Sequence, residues 1–247
     1  MSIAQSLGHI EYPESDGEPM GETDLHRDWM VRILDMLRYR YREQSVYVAS
    51  NLLVYYEEGV LRRFVVPDNF VVLGCDPKRR RVFKTWEEEK VPDVVFEVTS
   101  RSTKQDDESF KPQIYERIGV KEYFLYDPTN DYLQPSLQGH RLHGDDGFVA
   151  ITANEDGGLA CEALGILLRL DDQDLVISDA ATGDVLLTEA ESERAAHAAE
   201  RAAREAERAA REAERAARDA AEARAADLQA ELDRLRGELR RREDDAK

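Results

Sequence analysis

The chain has 247 residues, and its 52 acidic residues outnumber its 34 Lys and Arg residues to give a formal net charge of −18. Such a charge repels polyanions at long range, so it argues against avid, non-specific binding of nucleic acid. No stretch approaches the roughly 18 apolar residues of a membrane span, and the first residues do not resemble a signal peptide, so we expect a cytoplasmic protein with no membrane partner. Its two cysteines, Cys75 and Cys161, have no metal-ligand spacing and are expected to be reduced thiols.

The first part of the chain predicts a helix followed by strands. Residues 1–21 are polar and rich in Pro, Gly and Glu, so we expect a flexible N-terminal arm. Thr23 is a candidate N-cap, because apolar residues recur after it at four-residue steps, as on one face of a helix. Segments of β-favouring residues then follow at 46–56, 64–73 and 91–98. The sequence therefore predicts one helix and three strands.

The next part adds a helix and further strands. A second helix is predicted at 109–118, ended by Gly119, and a buried strand at 122–126. The predicted order is therefore αβββαβ. Short alternating runs between residues 139 and 187 are typical of antiparallel strands and hairpins that extend the sheet. We thus expect a mixed α/β domain at residues 22–188.

The tail, residues 189–247, has a different composition. It repeats ERAAREA with a period of seven, and its apolar seam changes from Ala to Leu towards the end. This pattern predicts a long coiled-coil helix. Because Ala buries little area, the Leu part should dominate self-association into a homo-oligomer. A single solvated helix held by Glu–Arg pairs and a heterologous partner are the alternatives.

Three carboxylates stand within or beside the predicted strands. Asp68 interrupts an apolar segment, where an ionised group is unfavourable unless it is paired, hydrogen-bonded or bound to metal. Glu97 lies four residues after Asp93 in the third strand, so the two side chains share one face of that strand. Together the three residues can supply the hard oxygen ligands that Mg²⁺ prefers. Paired structural carboxylates are the alternative.

Basic residues complete the candidate chemistry. Phosphodiester hydrolysis needs positive charge in the transition state, and Lys111 at the start of the second predicted helix can reach back towards the strand ends. Arg79 and Arg80 belong to a basic run between two predicted strands. They are candidates for contact with a DNA backbone, and a solvated hairpin tip is the alternative.

Residues 91–128 carry a dense motif. A Pro-Asp precedes an apolar strand that ends in Glu-Val-x-Ser-x-Ser-Thr. An Asp, a Lys and a Tyr follow at four-residue steps, and then Gly-Val-x-Glu-Tyr and Asp-Pro. The matching residues are Asp93, Glu97, Val98, Ser100, Ser102, Thr103, Asp107, Lys111, Tyr115, Gly119, Val120, Glu122, Tyr123, Asp127 and Pro128. This pattern resembles the Uma-type restriction endonuclease family of the PD-(D/E)XK nuclease superfamily. The resemblance extends over about residues 24–187 and leaves out the tail.

The resemblance implies a restriction-endonuclease-like αβββαβ core that hydrolyses DNA as a metal-dependent endonuclease, with Mg²⁺ or Mn²⁺ as cofactor. It implies Asp68 and Glu97 as metal ligands. Lys111 is the implied catalytic lysine, because Thr99 occupies the superfamily's usual lysine position. Asp93 is a second candidate, as a ligand or as a structural residue at the start of the strand.

Four further residues bear on this site. His26 falls near a position where the family tends to carry a histidine, although a lone helical His is more often a core or surface residue. Asp107 can cap the second helix or orient Lys111. Arg101 replaces a usual Pro and is a candidate phosphate contact, whereas Pro112 disfavours helical geometry at Lys111. A nuclease-fold module that has lost catalysis and serves as an oligomerising or partner-binding protein is therefore the alternative function.

Overall fold

The computed structural model describes residues 12–15, 23–101 and 103–245. The helices are α1 (Asp24–Arg40), α2 (Thr85–Glu88), α3 (Lys111–Ile118) and α4 (Glu189–Asp245). The strands are β1 (Val46–Ser50), β2 (Val54–Tyr55), β3 (Phe64–Val65), β4 (Asn69–Leu73), β5 (Phe83–Lys84), β6 (Val94–Val98), β7 (Glu122–Tyr126), β8 (Leu137–Leu142), β9 (Phe148–Ala150), β10 (Leu159–Cys161), β11 (Ile166–Asp171) and β12 (Asp174–Asp179). A π-helical turn, Asp106–Phe110, leads into α3, and a 3-10 turn spans Gly144–Asp146. The expected mixed α/β architecture with a long C-terminal helix is confirmed.

The largest sheet has six strands in the order β1-β4-β6-β7-β8-β9. Strands β6 and β7 are parallel, and the other neighbours are antiparallel. Two three-stranded sheets accompany it, with the orders β3-β2-β5 and β10-β11-β12. The elements of the largest sheet and the helices beside it therefore follow the chain order α1, β1, β4, β6, α3, β7.

Helix α1 packs one apolar face on the largest sheet. Its N-cap is Thr23, as predicted, and the Thr23 hydroxyl accepts a hydrogen bond from the His26 backbone amide at 3.3 Å. Trp29, Ile33 and Leu37 follow at four-residue steps and are buried among the side chains of one sheet face. The apolar periodicity of the sequence thus becomes the contact that fixes α1 on this face.

Helix α3 packs on the opposite face of the same sheet. Ile114 and Tyr115 are buried there among residues such as Val95, whereas Val94 and Phe96 of the same strand face the α1 side. Because side chains alternate along a strand, Glu97 points to the α3 side together with Val95. The sheet therefore presents Glu97 directly to α3.

Several predicted elements differ in detail from the structure. The segment 46–56 forms two strands in different sheets, because Asn51 takes a left-handed conformation with φ of 49° between them. The segment 64–73 is also divided, at Pro67-Asp68, where Pro has no amide to donate to a ladder. The sequence did not predict β5 and α2.

The later strands were expected to extend the largest sheet, but only some of them do. Strands β8 and β9 do so, but β10, β11 and β12 pair only with one another. The residues near 184–187 form an isolated bridge from Val185 to Ser178 instead of a strand. Alternation in the sequence reports that a strand has one buried face, but it does not identify the neighbouring strand.

The chain divides into two compact units, one up to Glu189 and one from Ala190 onward. Helix α4 is continuous over 57 residues. Of its apolar residues, Leu228, Leu232 and Leu235 are exposed in the single chain. The structure thus has the predicted helix, while its self-association stays a prediction. No helix in the described part of the chain combines the length and apolar character needed to cross a membrane.

Four residues of the predicted N-terminal arm, 12–15, are described, and the other arm residues lie outside the described ranges. The Tyr12 ring contacts the Tyr55 ring edge-on at 4.9 Å and the Trp86 ring at 5.3 Å. The Tyr12 hydroxyl also accepts a hydrogen bond from the Gly59 amide at 2.7 Å. This short stretch therefore packs on the small sheet formed by β2, β3 and β5.

Candidate active site

The strand register brings Asp68 and Glu97 together. Phe70 pairs with Val95 and Asn69 with Phe96 between β4 and β6, so one further step places Asp68 opposite Glu97. Cross-strand neighbours have Cβ atoms about 5 Å apart. The Asp68 amide accordingly donates to Glu97 Oε2 at 3.2 Å, and both side chains are buried. Two carboxylates that are 29 residues apart in sequence therefore meet at one end of the sheet.

Helix α3 contributes Lys111 and Tyr115 to the same point. Lys111 Nζ lies 2.8 Å from Glu97 Oε2, and the Tyr115 hydroxyl donates to Glu97 Oε1 at 2.5 Å. Lys111 and Tyr115 are one helical turn apart, so both reach Glu97 from the same helix face. Glu97 is thus held on both of its oxygens.

Pro112 does not displace Lys111. The chain enters α3 through the π-helical turn, and the Lys111 amide donates to Asp106 O in that turn. Lys111 keeps ordinary helical dihedral angles, φ −61° and ψ −43°. Since Pro112 has no amide and its ring clashes with the carbonyl four residues earlier in a regular helix, the wider π turn accommodates it.

His26 of α1 holds the other carboxylate. Its Nε2 lies 3.0 Å from Asp68 Oδ2, which also accepts a hydrogen bond from the Val98 amide at 2.8 Å. Burial alone would raise the pKa of Asp68. The hydrogen bond from His26 and the charge of Lys111 outweigh burial, so this pKa lies below its ordinary value. Asp68 is therefore held as a carboxylate.

Asp107 is a third buried carboxylate at this point. Its Oδ1 lies 2.9 Å from Lys111 Nζ, but neither of its oxygens accepts a well-aligned hydrogen bond from the described residues. Burial raises the pKa of Asp107 against the opposing charge of Lys111. The Tyr123 hydroxyl donates to the backbone carbonyl of Asp107 and fixes this part of the π turn. Asp107 therefore faces the cluster instead of capping the helix.

The cluster sets three carboxyl groups against the Lys111 ammonium and the His26 ring. Three carboxylates surround the single ammonium group of Lys111. Burial raises the pKa of Glu97 well above its ordinary value, with the charges of Asp68 and Asp107 acting against that of Lys111. Burial alone would lower the pKa of Lys111, but the neighbouring carboxylates raise it above its ordinary value. An added cation would favour the ionised forms of these buried carboxyl groups.

The donor set at this point suits a magnesium-type ion. The described residues contain no group of three or more His, Cys, Asp or Glu side chains arranged to hold a metal. Mg²⁺ requires fewer protein ligands, because it is usually held by one or two carboxylates with waters and substrate phosphates. Asp68 and Glu97 meet that requirement, and the poorly bonded carboxylate of Asp107 adds negative charge nearby.

Asp93 is not brought into this cluster. It precedes β6 at the end opposite to Glu97, and four residues of a strand span about 13 Å. Its carboxylate accepts from the Leu73 amide at 2.6 Å and pairs with Lys121 Nζ at 2.7 Å. Asp93 and Glu97 lie on the same face of the strand but too far apart to bind one metal ion. The contacts of Asp93 with Leu73 and Lys121 are structural.

The three candidate arginines differ from one another. Arg80 is buried, and all five of its N–H groups have acceptors, so it is not available to DNA; the acceptors are Glu88 Oε1 and Oε2, Asp76 O, Lys78 O and Cys75 Sγ. Arg79 and Arg101 are exposed. Of the predicted nucleic-acid contacts, the structure thus leaves Arg79 and Arg101 accessible.

The sequence reasoning did not assign a site role to Tyr115 and gave little weight to His26. Tyr115 follows Lys111 by four residues inside the motif, which is the spacing of neighbours on one helix face. The role of Tyr115 could therefore have been predicted from the sequence. The contact between His26 and Asp68 could not, because it depends on how α1 packs across the sheet.

Comparison with known proteins identifies a family for the chain. A family model, Uma2, described as "Putative restriction endonuclease", matches residues 3–157, and the chain belongs to this family. Among solved structures, the chain is similar to a crystal structure of a putative nuclease belonging to DUF820 from Anabaena variabilis. The TM-score is 0.44 at 13% sequence identity, over 62% of this chain and 86% of that chain. No curated protein matches the chain.

Proposed function

We propose that the protein is a metal-dependent endonuclease that hydrolyses phosphodiester bonds of DNA. The observation that carries the proposal is the meeting of Asp68, Glu97 and Lys111 at one buried point. Family membership and the αβββαβ order of elements around that point support it. We further propose residues 22–188 as the catalytic, restriction-endonuclease-like domain.

In this proposal Asp68 and Glu97 hold Mg²⁺ or Mn²⁺. A divalent cation bound there neutralises phosphate charge and lowers the pKa of its bound water. His26 keeps the Asp68 carboxylate oriented through its 3.0 Å contact, and Tyr115 does the same for Glu97. Lys111 supplies a fixed positive charge beside the scissile phosphate, where negative charge grows in the transition state. Asp107 positions Lys111 through the 2.9 Å ion pair.

A cleavage assay tests the proposal directly. We expect mixed linear and circular DNA substrates to be cut with Mg²⁺ or Mn²⁺ and not with EDTA. Glu97→Ala and Lys111→Ala should each lower the rate by about 100-fold or more, because each removes charge stabilisation at the phosphate. Lys104→Ala is the matched control for Lys111→Ala, since Lys104 makes only a half-exposed pair with Glu108 at 3.9 Å.

Two results would reject the catalytic role. One is the absence of cutting on every substrate with either metal. The other is cutting that survives Glu97→Ala unchanged, because a contaminating nuclease would then be responsible.

We also propose that α4 joins two copies of the chain as a coiled coil, so that two sites act on the two strands of one duplex. The support is the heptad pattern and the exposure of Leu228 (63%), Leu232 (49%) and Leu235 (44%), which a partner helix would cover. Light scattering of the full chain should give at least twice the monomer mass, and Leu228→Ser with Leu232→Ser should reduce it. A monomeric wild type would reject this assembly.

A further inference from the structure

A groove of about 510 Å³ runs beside β1 and has an unusual charge for this protein. Residues 1–189 hold 36 acidic and 20 basic residues, a net charge of −16. The groove lining nevertheless contains Arg38, Arg42, Lys78, Arg79 and Arg80 and no Asp or Glu. An acidic protein thus has a locally basic channel beside the edge strand of its largest sheet.

Three of these charges are available to a ligand. Arg80 is not one of them, because Glu88 neutralises it. Arg42 bonds the Tyr39 carbonyl and stacks on the Tyr39 ring. Arg38, Lys78 and Arg79 are exposed, and none of them is within ion-pair distance of a carboxylate in the described part of the chain.

The floor of the groove holds one of these charges in place. Arg38 Nε donates to the Val48 carbonyl on the free edge of β1 at 3.2 Å. This bond fixes the guanidinium over the strand, and among the described residues no acceptor is found for its remaining N–H groups, which can turn to a phosphate oxygen. It also covers the strand edge, which disfavours the addition of a peptide strand as an alternative use of the groove.

The groove leads to the candidate active site. Ser50 lines one end of it, and the Ser50 hydroxyl donates to the Asp68 backbone carbonyl at 2.6 Å. The five residues of β1 span about 17 Å, which equals the axial rise of roughly five base pairs. A nucleic-acid backbone that reaches Asp68 can therefore continue along β1.

We infer that this groove, lined by Arg38, Lys78 and Arg79, binds the phosphate backbone of the nucleic acid whose cleavage site lies at Asp68 and Glu97. The inference rests on the proposed function, since the active-site end gives the groove its direction. Phosphate contacts position a nucleic acid without reading its sequence, so the groove contributes affinity and register. It also explains how a chain of strongly negative charge holds a polyanion.

Binding and cutting are measured separately to test this inference. The full chain is titrated into a fluorescently labelled 20-base-pair duplex in EDTA, where no cutting occurs, over a series of salt concentrations. The variant carries Arg38→Gln, Lys78→Gln and Arg79→Gln. The control carries the same charge change at three exposed arginines that do not line the groove, Arg62→Gln, Arg63→Gln and Arg117→Gln.

We expect the groove variant to lose at least tenfold in affinity at low salt. The plot of log binding constant against log salt concentration should become shallower by about two to three units of slope, about one unit for each phosphate contact removed. The control should stay within about threefold of the wild type. Unchanged circular dichroism in both variants shows that the fold is intact.

The outcomes separate the two proposals. Binding that depends on the groove without any cutting in Mg²⁺ supports the groove and rejects the nuclease. Cutting with equal affinity in the groove and control variants rejects the groove and keeps the nuclease. A wild type that does not bind the duplex at low salt rejects the groove as well.

Discussion

Glu97 and Glu122 are two fully buried glutamates on adjacent parallel strands, and their surroundings differ sharply. The Glu122 carboxylate accepts from Arg141 and from the Glu162 and Ala163 amides at 2.8–3.0 Å, and from Cys161 Sγ at 3.1 Å. Cys161 ends β10, and Glu162 and Ala163 follow it, so Glu122 joins the largest sheet to a three-stranded one. Its charge is met by the protein itself.

Glu97 is held less completely. It receives Lys111 and Tyr115, but Lys111 is shared with Asp107, and Asp68 lies directly across the strand pair. Burial and the neighbouring carboxyl groups therefore disfavour the ionised form of Glu97, which the protein's own residues only partly offset. The comparison teaches that a buried carboxylate is a candidate for function when the fold leaves its charge unmatched.

The largest expected effect is a difference in the free energy of unfolding between variants of these two glutamates. Glu122→Gln removes the buried charge partner of Arg141, which keeps only its exposed pair with Glu162, and should lower the free energy of unfolding by about 3 kcal/mol. Burial already raises the pKa of Glu97 and so disfavours its charged form. Glu97→Gln should therefore change the free energy of unfolding by less than about 1 kcal/mol, or increase it. Urea unfolding of both variants measures the difference. Equal losses in the two variants would mean that Glu97 is as structural as Glu122.

The next largest effect concerns two adjacent arginines. Arg80→Lys keeps the charge but replaces five fixed N–H donors by at most three, and should lower the free energy of unfolding by about 2 kcal/mol. Arg79→Lys is the control, because Arg79 is exposed and should change stability by less than about 0.5 kcal/mol. Thermal unfolding compares them. If Arg80→Lys behaved like Arg79→Lys, the five bonds would not stabilise the fold.

Part of the fold and of the candidate site could be predicted from the sequence. The helix positions α1 and α3, the strands β6 and β7 and the family followed from periodicity and from the motif of residues 91–128. Glu97 and Lys111 were named from that motif and Asp68 from its place in an apolar segment, and the structure brings the three together.

The remainder depends on tertiary contacts. Asp93 and Glu97 look equivalent in sequence, and only the pairing of β4 with β6 decides which of them meets Asp68. In the run Lys78 to Arg81, every residue is basic, and burial against Tyr47 and Glu88 selects Arg80 as the structural one. Such selection has no local sequence signal.

A smaller effect is expected from acid. The hydrogen bonds from Arg80 hold the pKa of Glu88 below its ordinary value. A lowered pKa contributes stability that is present above about pH 4.3 and is lost as the pH falls through the folded value. The stability difference between wild type and Glu88→Gln should therefore shrink below about pH 4. Urea unfolding at pH 3–7 measures it, and a difference that stays constant with pH would contradict the assignment.

The smallest effect is expected where the ion pairs face water, on α4. Arg208 pairs with Glu212 at 2.9 Å, but the two side chains are 82% and 67% exposed. Water and salt screen such a pair, so Arg208→Gln should lower helix stability by only about 0.3–0.5 kcal/mol. Thermal circular dichroism at low salt and at about 1 M salt compares it with Arg201→Gln, since Arg201 has no ion pair among the described residues. A loss above about 1 kcal/mol that persists in high salt would mean that a partner helix buries this pair, because only exclusion of water gives an ion pair of this kind the strength expected around Glu122.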